Sequence, residues 1–348
     1  MHTLTNNLKR LTGDLALPGG RMVGSEGHDV ARAFLVDQLA ALGCEAYTGA
    51  DYELAYECAG TAFCNIGGVV PGQDRSLAPV LIGAHYDSVI PHPCADDNAA
   101  AVAITLEVGR MLAADPPERD TVLAIFDAEE PPYYLTEQMG SIRFYEDQMK
   151  PEGVHAALVM DLVGHDIQVP VEFLPGSDRL PFGGKAGLPI PHLRNLLFIT
   201  GAESHPELAD MIQQARRPSR LPTIFTPNRN VGDMSDHAIF RRNGVPYLFL
   251  SCGRWQHYHE PTDTPDRLNY RKMARIARYV ETLVHHLAEQ VLPPSDAAES
   301  DTVDLEITSL RQVLGPVLPV ALNKLGLETL EDREDLDALA ETLLAWGL

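Results

Sequence analysis

Residues 121–132 read TVLAIFDAEEPP. Thr121 to Phe126 is an unbroken apolar and β-branched run, which predicts a strand buried on both faces. It leads straight into Asp127, Glu129 and Glu130. A core strand that ends in three acids needs a reason to gather negative charge at its carboxyl end.

Working outward, five more apolar runs bounded by turn residues predict strands over 65–70, 79–83, 156–160, 196–200 and 247–250. Helical spacing fills several of the gaps. Ala31, Phe34, Leu35, Leu39 and Leu42 share one face of a helix over 28–42, with Gly43 placed to end it. Further helices are predicted over 99–114, 206–216 and 271–290, the last with Met273, Ile276, Ala277, Val280, Leu283, Val284 and Leu287 in register. Strands alternating with helices predict an α/β fold, a mixed and mostly parallel sheet sandwiched by helices.

The pattern breaks at Leu292-Pro293-Pro294-Ser295. This divides the chain into a catalytic-sized domain, 1–294, and an acidic extension, 295–348, which holds twelve acids and three bases. Leu336, Leu339, Ala340, Leu343 and Leu344 still form an apolar face, so the extension is predicted to be helical. Such a face must pack on something, and a homo-oligomer through the C-terminal helices would satisfy it.

Charge and cysteine content narrow the partners. The chain has 348 residues and 49 acids against 27 Lys and Arg, for a net charge of -22, a field that opposes nucleic acid. No stretch approaches the roughly 20 apolar residues of a membrane span, and MHTLTNNLKRLTGD lacks the apolar centre of a secretion signal. Five cysteines without a C-x-x-C pair argue for reduced thiols, and the expected location is cytoplasmic.

In open α/β sheets, ligands gather at the carboxyl ends of the strands. Those positions supply His85 and Asp87 in "AHYDS", Glu129 and Glu130 after the 121–126 run, and Asp161 after 156–160. Loops add Asp97 in "ADDNAA" and His259 in "YHEPTDT". Singly, each has a plain structural reading: a hydrogen-bonded histidine, a helix-capping aspartate, solvated loop acids. Together, two histidines and several carboxylates on one rim form a nitrogen and oxygen donor set suited to zinc-like ions. Without cations so many acids could not all ionise.

The set "GAHYDS", "ADDNAA", "FDAEE", "MDLVG", "SDHAIFRRNGVP" and "YHEPTDT", in this order over about residues 15–290, resembles the zinc-dependent aminopeptidase family that also includes glutamate-carboxypeptidase-like enzymes and glutaminyl cyclases. The resemblance implies a phosphorylase/hydrolase-like sheet and two zinc ions per chain, with cobalt or manganese as substitutes. It implies that Asp97 bridges the ions, that His85 and Asp161 complete one site, and that Glu130 and His259 complete the other. Glu129 would be the general base, Asp87 would orient His85, and Tyr258 would donate to the oxyanion. Asp236 and His237 match the family's Ser-Asp-His element, with capping and support of the ligands both open.

The implied reaction is hydrolytic release of N-terminal amino acids from peptides. Glutaminyl cyclase, carboxypeptidase or dipeptidase action is the alternative within the family, and a non-catalytic interaction module is the alternative outside enzymes. Cyclases of this family work with one zinc, so a full donor set favours hydrolysis. The segment "PPYYLTEQMGS" is longer than the family's usual turn and leaves side-chain preference open.

Overall fold

The computed structural model describes residues 2–49, 51–167, 169–170, 187–188, 193–293, 299–315, 318–324 and 326–345. The strands are β1 (Glu45–Ala46), β2 (Glu53–Cys58), β3 (Thr61–Val70), β4 (Val80–His85), β5 (Thr121–Phe126), β6 (Ala156–Met160), β7 (Val169–Pro170), β8 (Gly187–Leu188), β9 (Leu197–Thr200), β10 (Thr223–Phe225) and β11 (Tyr247–Ser251). The helices are α1 (His2–Leu15), α2 (Glu26–Leu42), α3 (Ala100–Ala114), α4 (Gly140–Arg143), α5 (Leu208–Ser219), α6 (Asn228–Val231), α7 (His237–Arg242), α8 (Tyr270–Glu289), α9 (Val303–Leu314), α10 (Leu318–Lys324) and α11 (Arg333–Ala345).

One large sheet has the order β1-β3-β5-β4-β6-β11-β9-β10, with β2 also on β3. Its centre, β5-β4-β6-β11, is parallel, and antiparallel contacts flank it at β3 and β9. The alternation of side chains explains the two covered faces. On β5, Leu123 and Ile125 join the cluster beneath α1, α2, α3, α5 and α8, while Val122, Ala124 and Phe126 face the opposite cluster with Ile142 of α4 and Phe240 of α7. The strands β4 and β6 divide in the same way. The expected helix-sandwiched α/β architecture is therefore observed.

Several boundaries differ from the sequence reading, and one difference bears on the site. The strand expected over 79–83 runs on to His85, so this histidine is fixed by the β4–β5 ladder, opposite Phe126. The helix expected from 99 starts at Ala100, after a π-turn over Ala95–Ala99 in which Asp97 and Asn98 are not helical. Asp97 does not cap that helix. Ser25 caps α2 by accepting from the His28 N–H, and Gly43 ends it at φ 74°, as its freedom allows. The first helix, α1, was not anticipated; Leu4, Leu8, Leu11 and Leu15 lie along its buried face.

The C-terminal helices close the sheet's far edge. Ile307, Leu310 and Val313 of α9 cluster with Leu318, Leu330, Leu336 and Leu339 of the tail and with Leu196 and Ile224 beside the edge. Ser309 Oγ accepts the Phe225 N–H of β10 at 3.3 Å, satisfying an edge donor. Leu336 and Leu339 are thus covered within the chain and give no argument for a second copy. The side chains of Leu343 and Leu344, and the break expected after residue 294, lie outside the described residues. Among the described residues, no helix is long and apolar enough to cross a membrane.

Candidate metal centre

Four parallel strands end on one rim and bring the expected donors together. His85 closes β4, Glu129 and Glu130 follow β5, Asp161 follows β6, and the loop after β11 returns Tyr258 and His259. Asp97 enters from the turn before α3. Its two oxygens face different histidines: Oδ1 lies 3.4 Å from His85 Nε2, and Oδ2 lies 3.2 Å from His259 Nε2. His85 Nε2 is also 3.7 Å from Asp161 Oδ1 and from Glu129 Oε2, and His259 Nε2 is 3.2 Å from Glu130 Oε2.

These contacts are close without being hydrogen bonds. His85 Nε2, Asp97 Oδ2, Glu130 Oε1, Asp161 Oδ1 and His259 Nε2 are all buried with no hydrogen-bond partner. Each of the five expected ligands contributes one such atom. Buried polar atoms are almost always partnered, and five exceptions converging on one space fit divalent cations. Among the described residues, two groupings could hold an ion, His85 with Glu129 and Asp161, and His85 with Asp97 and Glu130.

The supporting contacts fix these side chains. Asp87 lies 3.2 Å from His85 Nδ1 and accepts the backbone N–H groups of both Glu129 and Glu130 at 3.1 Å. One carboxylate therefore orients the histidine and sets the turn that presents both glutamates. Asp127, the first acid of the opening stretch, faces away into the structure. It pairs with His28 Nε2 and accepts from Cys64 N and Ala128 N, each at 2.8 Å. The carbonyl of Asp127 also accepts the Gly140 N–H at 2.8 Å, an approach that a Cβ at Gly140 would block. Tyr258 stacks on the His259 ring at 3.7 Å, and Arg254 Cζ lies 5.0 Å from the Tyr258 ring centre.

A family model described as "Peptidase family M28" matches residues 65–284, more than half of the chain. The chain belongs to peptidase family M28. The M28 chain is 29% identical over 222 residues to the Escherichia coli (strain K12) protein YfbL, an alignment covering 60% of the chain and 66% of YfbL. In fold it is similar to a leucine aminopeptidase precursor from Bacteroides thetaiotaomicron, with TM-score 0.60 and 17% identity over 81% of this chain and 96% of that one. It is similarly close to a Porphyromonas gingivalis glutaminyl cyclase, with TM-score 0.62 and 17% identity over 81% and 98% of the two chains.

Sequence reasoning missed three groups around this M28 site: Asp263, Asp96 and His165. Asp263, at the end of "YHEPTD", accepts the backbone N–H groups of Asp96 and Asp97 at 2.9–3.1 Å. Burial and the charge of Asp96 push it up to about 7. Asp96 is in turn 2.6 Å from His165 Nδ1. Asp236 is fully buried, and burial pushes it up to about 7 against the lowering charge of His85; it stands at the start of α7 but its side chain makes no cap hydrogen bond. His237, its neighbour, stacks on Phe249 at 4.2 Å, off the rim. The Tyr133–Leu135 loop is held rather than open: Tyr134 Oη donates to the Asp233 carbonyl, and Tyr133 packs edge-on against Phe63.

The charges predict how the metal-free protein responds to pH. Burial and Asp97 push Glu130 up to about 8, while burial raises Glu129 well above the carboxylate range and raises Asp161. Burial opposes the charge of His259, but Asp97 and Glu130 outweigh it and hold the ring protonated up to about 10. All of these groups keep protons in the folded state that the unfolded chain gives up. The stability they contribute is lost as pH rises from about 4.5 toward 10. Asp97 is lowered, with its pairing to both histidines outweighing burial, and so acts oppositely, losing its contribution only as pH falls below the ordinary aspartate range. Metal binding needs these ligands deprotonated and strengthens with pH. Melting curves from pH 5 to 9 should show a falling Tm for chelator-treated protein and a widening gap to zinc-loaded protein; parallel curves would contradict this.

Proposed function

We propose that this M28 chain is a two-zinc peptidase that releases amino acids from the free N-termini of peptides. The observation that carries the reading is the convergence of five unpartnered buried donor atoms from His85, Asp97, Glu130, Asp161 and His259. In this reading Asp97 is shared, His85 and Asp161 complete one site, and Glu130 and His259 complete the other. A mixed imidazole and carboxylate set with no thiolate suits zinc, with cobalt and manganese as replacements. When bound, the ions supply Lewis acidity, making water a nucleophile near neutral pH and polarising the scissile carbonyl.

The protein's own groups do the rest. Glu129 Oε2 lies near the shared space, 3.7 Å from His85 Nε2, and burial raises its affinity for a proton, which strengthens it as a base. It is placed to take a proton from the attacking water and return it to the leaving amine, the task of a general base that becomes an acid. Asp87 holds the peptide of Glu129 and the ring of His85 together, so that base and ligand keep their relative positions. Tyr258, packed on His259, is the donor assigned to the developing oxyanion.

Purified protein, stripped with a chelator and reloaded with zinc, cobalt or manganese, would be given peptides with free or acetylated N-termini and followed by mass spectrometry. Stepwise loss of N-terminal residues from the free peptides alone is the expected result. Trimming from the other end would make it a carboxypeptidase, and pyroglutamate formation without hydrolysis would make it a cyclase. No turnover with any metal would overturn the reading in favour of a binding module.

A further inference from the structure

Arg21 stands in "PGGRMVG", between α1 and α2, well before the span matched by the family model. It is fully buried, and none of its guanidinium hydrogen bonds goes to a carboxylate. Nε donates to the Tyr86 carbonyl at 2.7 Å, and Nη1 donates to those of Leu15 at 3.0 Å and Pro93 at 2.7 Å. Nη2 donates to the carbonyls of Cys94 at 3.0 Å and Asp97 at 3.4 Å. The Arg21 backbone N–H in turn donates to Ser88 Oγ at 2.7 Å. Five guanidinium N–H groups thus meet five backbone acceptors, the full capacity of the side chain.

Four of those carbonyls belong to residues 86–97, the segment that joins His85 to Asp97. Residue 97 is held from both sides. Its carbonyl accepts from Arg21, and its N–H donates to Asp263 at 3.1 Å. We infer that Arg21 is a positioning residue for the metal centre, fixing the backbone of Asp97 so that its two carboxylate oxygens face the two histidines. This rests on the two-metal reading above. Arg21 also brings a buried positive charge close to Asp87, Asp97 and Asp263; burial pushes the guanidinium down, and the carboxylate charges of Asp87, Asp97 and Asp263 pull it back up. It therefore eases the gathering of carboxylates as well as aiming one of them.

Lysine at this position keeps the charge but has one nitrogen, which cannot reach carbonyls spread over Leu15, Tyr86, Pro93, Cys94 and Asp97. The test measures zinc affinity directly, by competition with a chromophoric chelator, for wild type, Arg21→Lys, Arg21→Met and Leu8→Ala. The last is an equally buried apolar control in α1 whose side chain takes no part in the Arg21 hydrogen bonds. Circular dichroism reports folding. Arg21→Lys should fold and lose zinc affinity by about 10–100-fold, the usual size for removing a group that orients a ligand. Both ions should weaken together, because Asp97 faces both histidines. Leu8→Ala should lower Tm and leave affinity unchanged.

Wild-type affinity in Arg21→Lys, or an equal loss in Leu8→Ala, would overturn the inference. If neither Arg21 variant folds, Ser88→Ala decides: it leaves the guanidinium in place, removes the acceptor of the Arg21 backbone N–H together with the Ser88 donation to the Ile90 carbonyl, and should weaken both ions, whereas unchanged affinity would overturn the inference. A wild-type protein that binds no zinc would instead defeat the proposed function.

Discussion

Glu129→Gln should lower peptide hydrolysis by about 10²–10⁴-fold, the contribution of a positioned general base, while leaving metal content at the wild-type level. Glutamine preserves the shape of the side chain and cannot accept the proton. The backbone N–H at this position, which donates to Asp87, is untouched, so the turn that presents Glu130 should persist. The two neighbouring glutamates are thereby separable. Glu130→Gln replaces one oxygen of a carboxylate whose Oε1 has no protein partner and whose Oε2 faces His259, and it should cost metal as well as rate. Steady-state kinetics paired with metal analysis of the same samples checks both. Loss of metal in Glu129→Gln would make Glu129 a ligand, an assignment that its distance from His85 also permits.

Asp97→Asn should have the broadest effect, with metal content falling for both ions and hydrolysis falling to background. Within about 4 Å, Glu130 approaches His259 and Asp161 approaches His85, whereas Asp97 approaches both histidines, at 3.4 Å and 3.2 Å. An amide is a weaker ligand and offers a single acceptor oxygen, so it cannot serve two cations. In the metal-free protein this carboxylate also pairs with both rings, and its loss should lower their proton affinity. Two-dimensional NMR of the histidine side chains in chelator-treated protein would show both rings titrating at lower pH than in wild type. Retention of one ion at wild-type affinity would show that Asp97 is not shared.

Much of this site was legible because strand chemistry and site chemistry meet at the strand ends. The β5 and β6 boundaries follow from apolar runs that end abruptly in acids, and the parallel order then brings those acids onto one rim. Separately spaced groups that act through the backbone left no local signal. Arg21 lies in a glycine-rich loop that reads as exposed, and only the fold surrounds it with carbonyls. The His28–Asp127 pair joins residues 99 positions apart. Asp263 stands in YHEPTDT close after His259, but its task is to accept N–H groups from a turn far away in sequence. The leucine spacing of α1 was present, yet its threonines, asparagines and glycine obscured the helix.

The most direct test of the account is the metal count at full activity. Chelator-stripped protein would be titrated with zinc while bound metal and hydrolysis of a free-amine peptide are followed together. The account predicts that activity saturates at two zinc ions per chain and that Asp97→Asn reaches neither the count nor the rate. Full activity at one ion, or undiminished hydrolysis in the chelated protein, would contradict it.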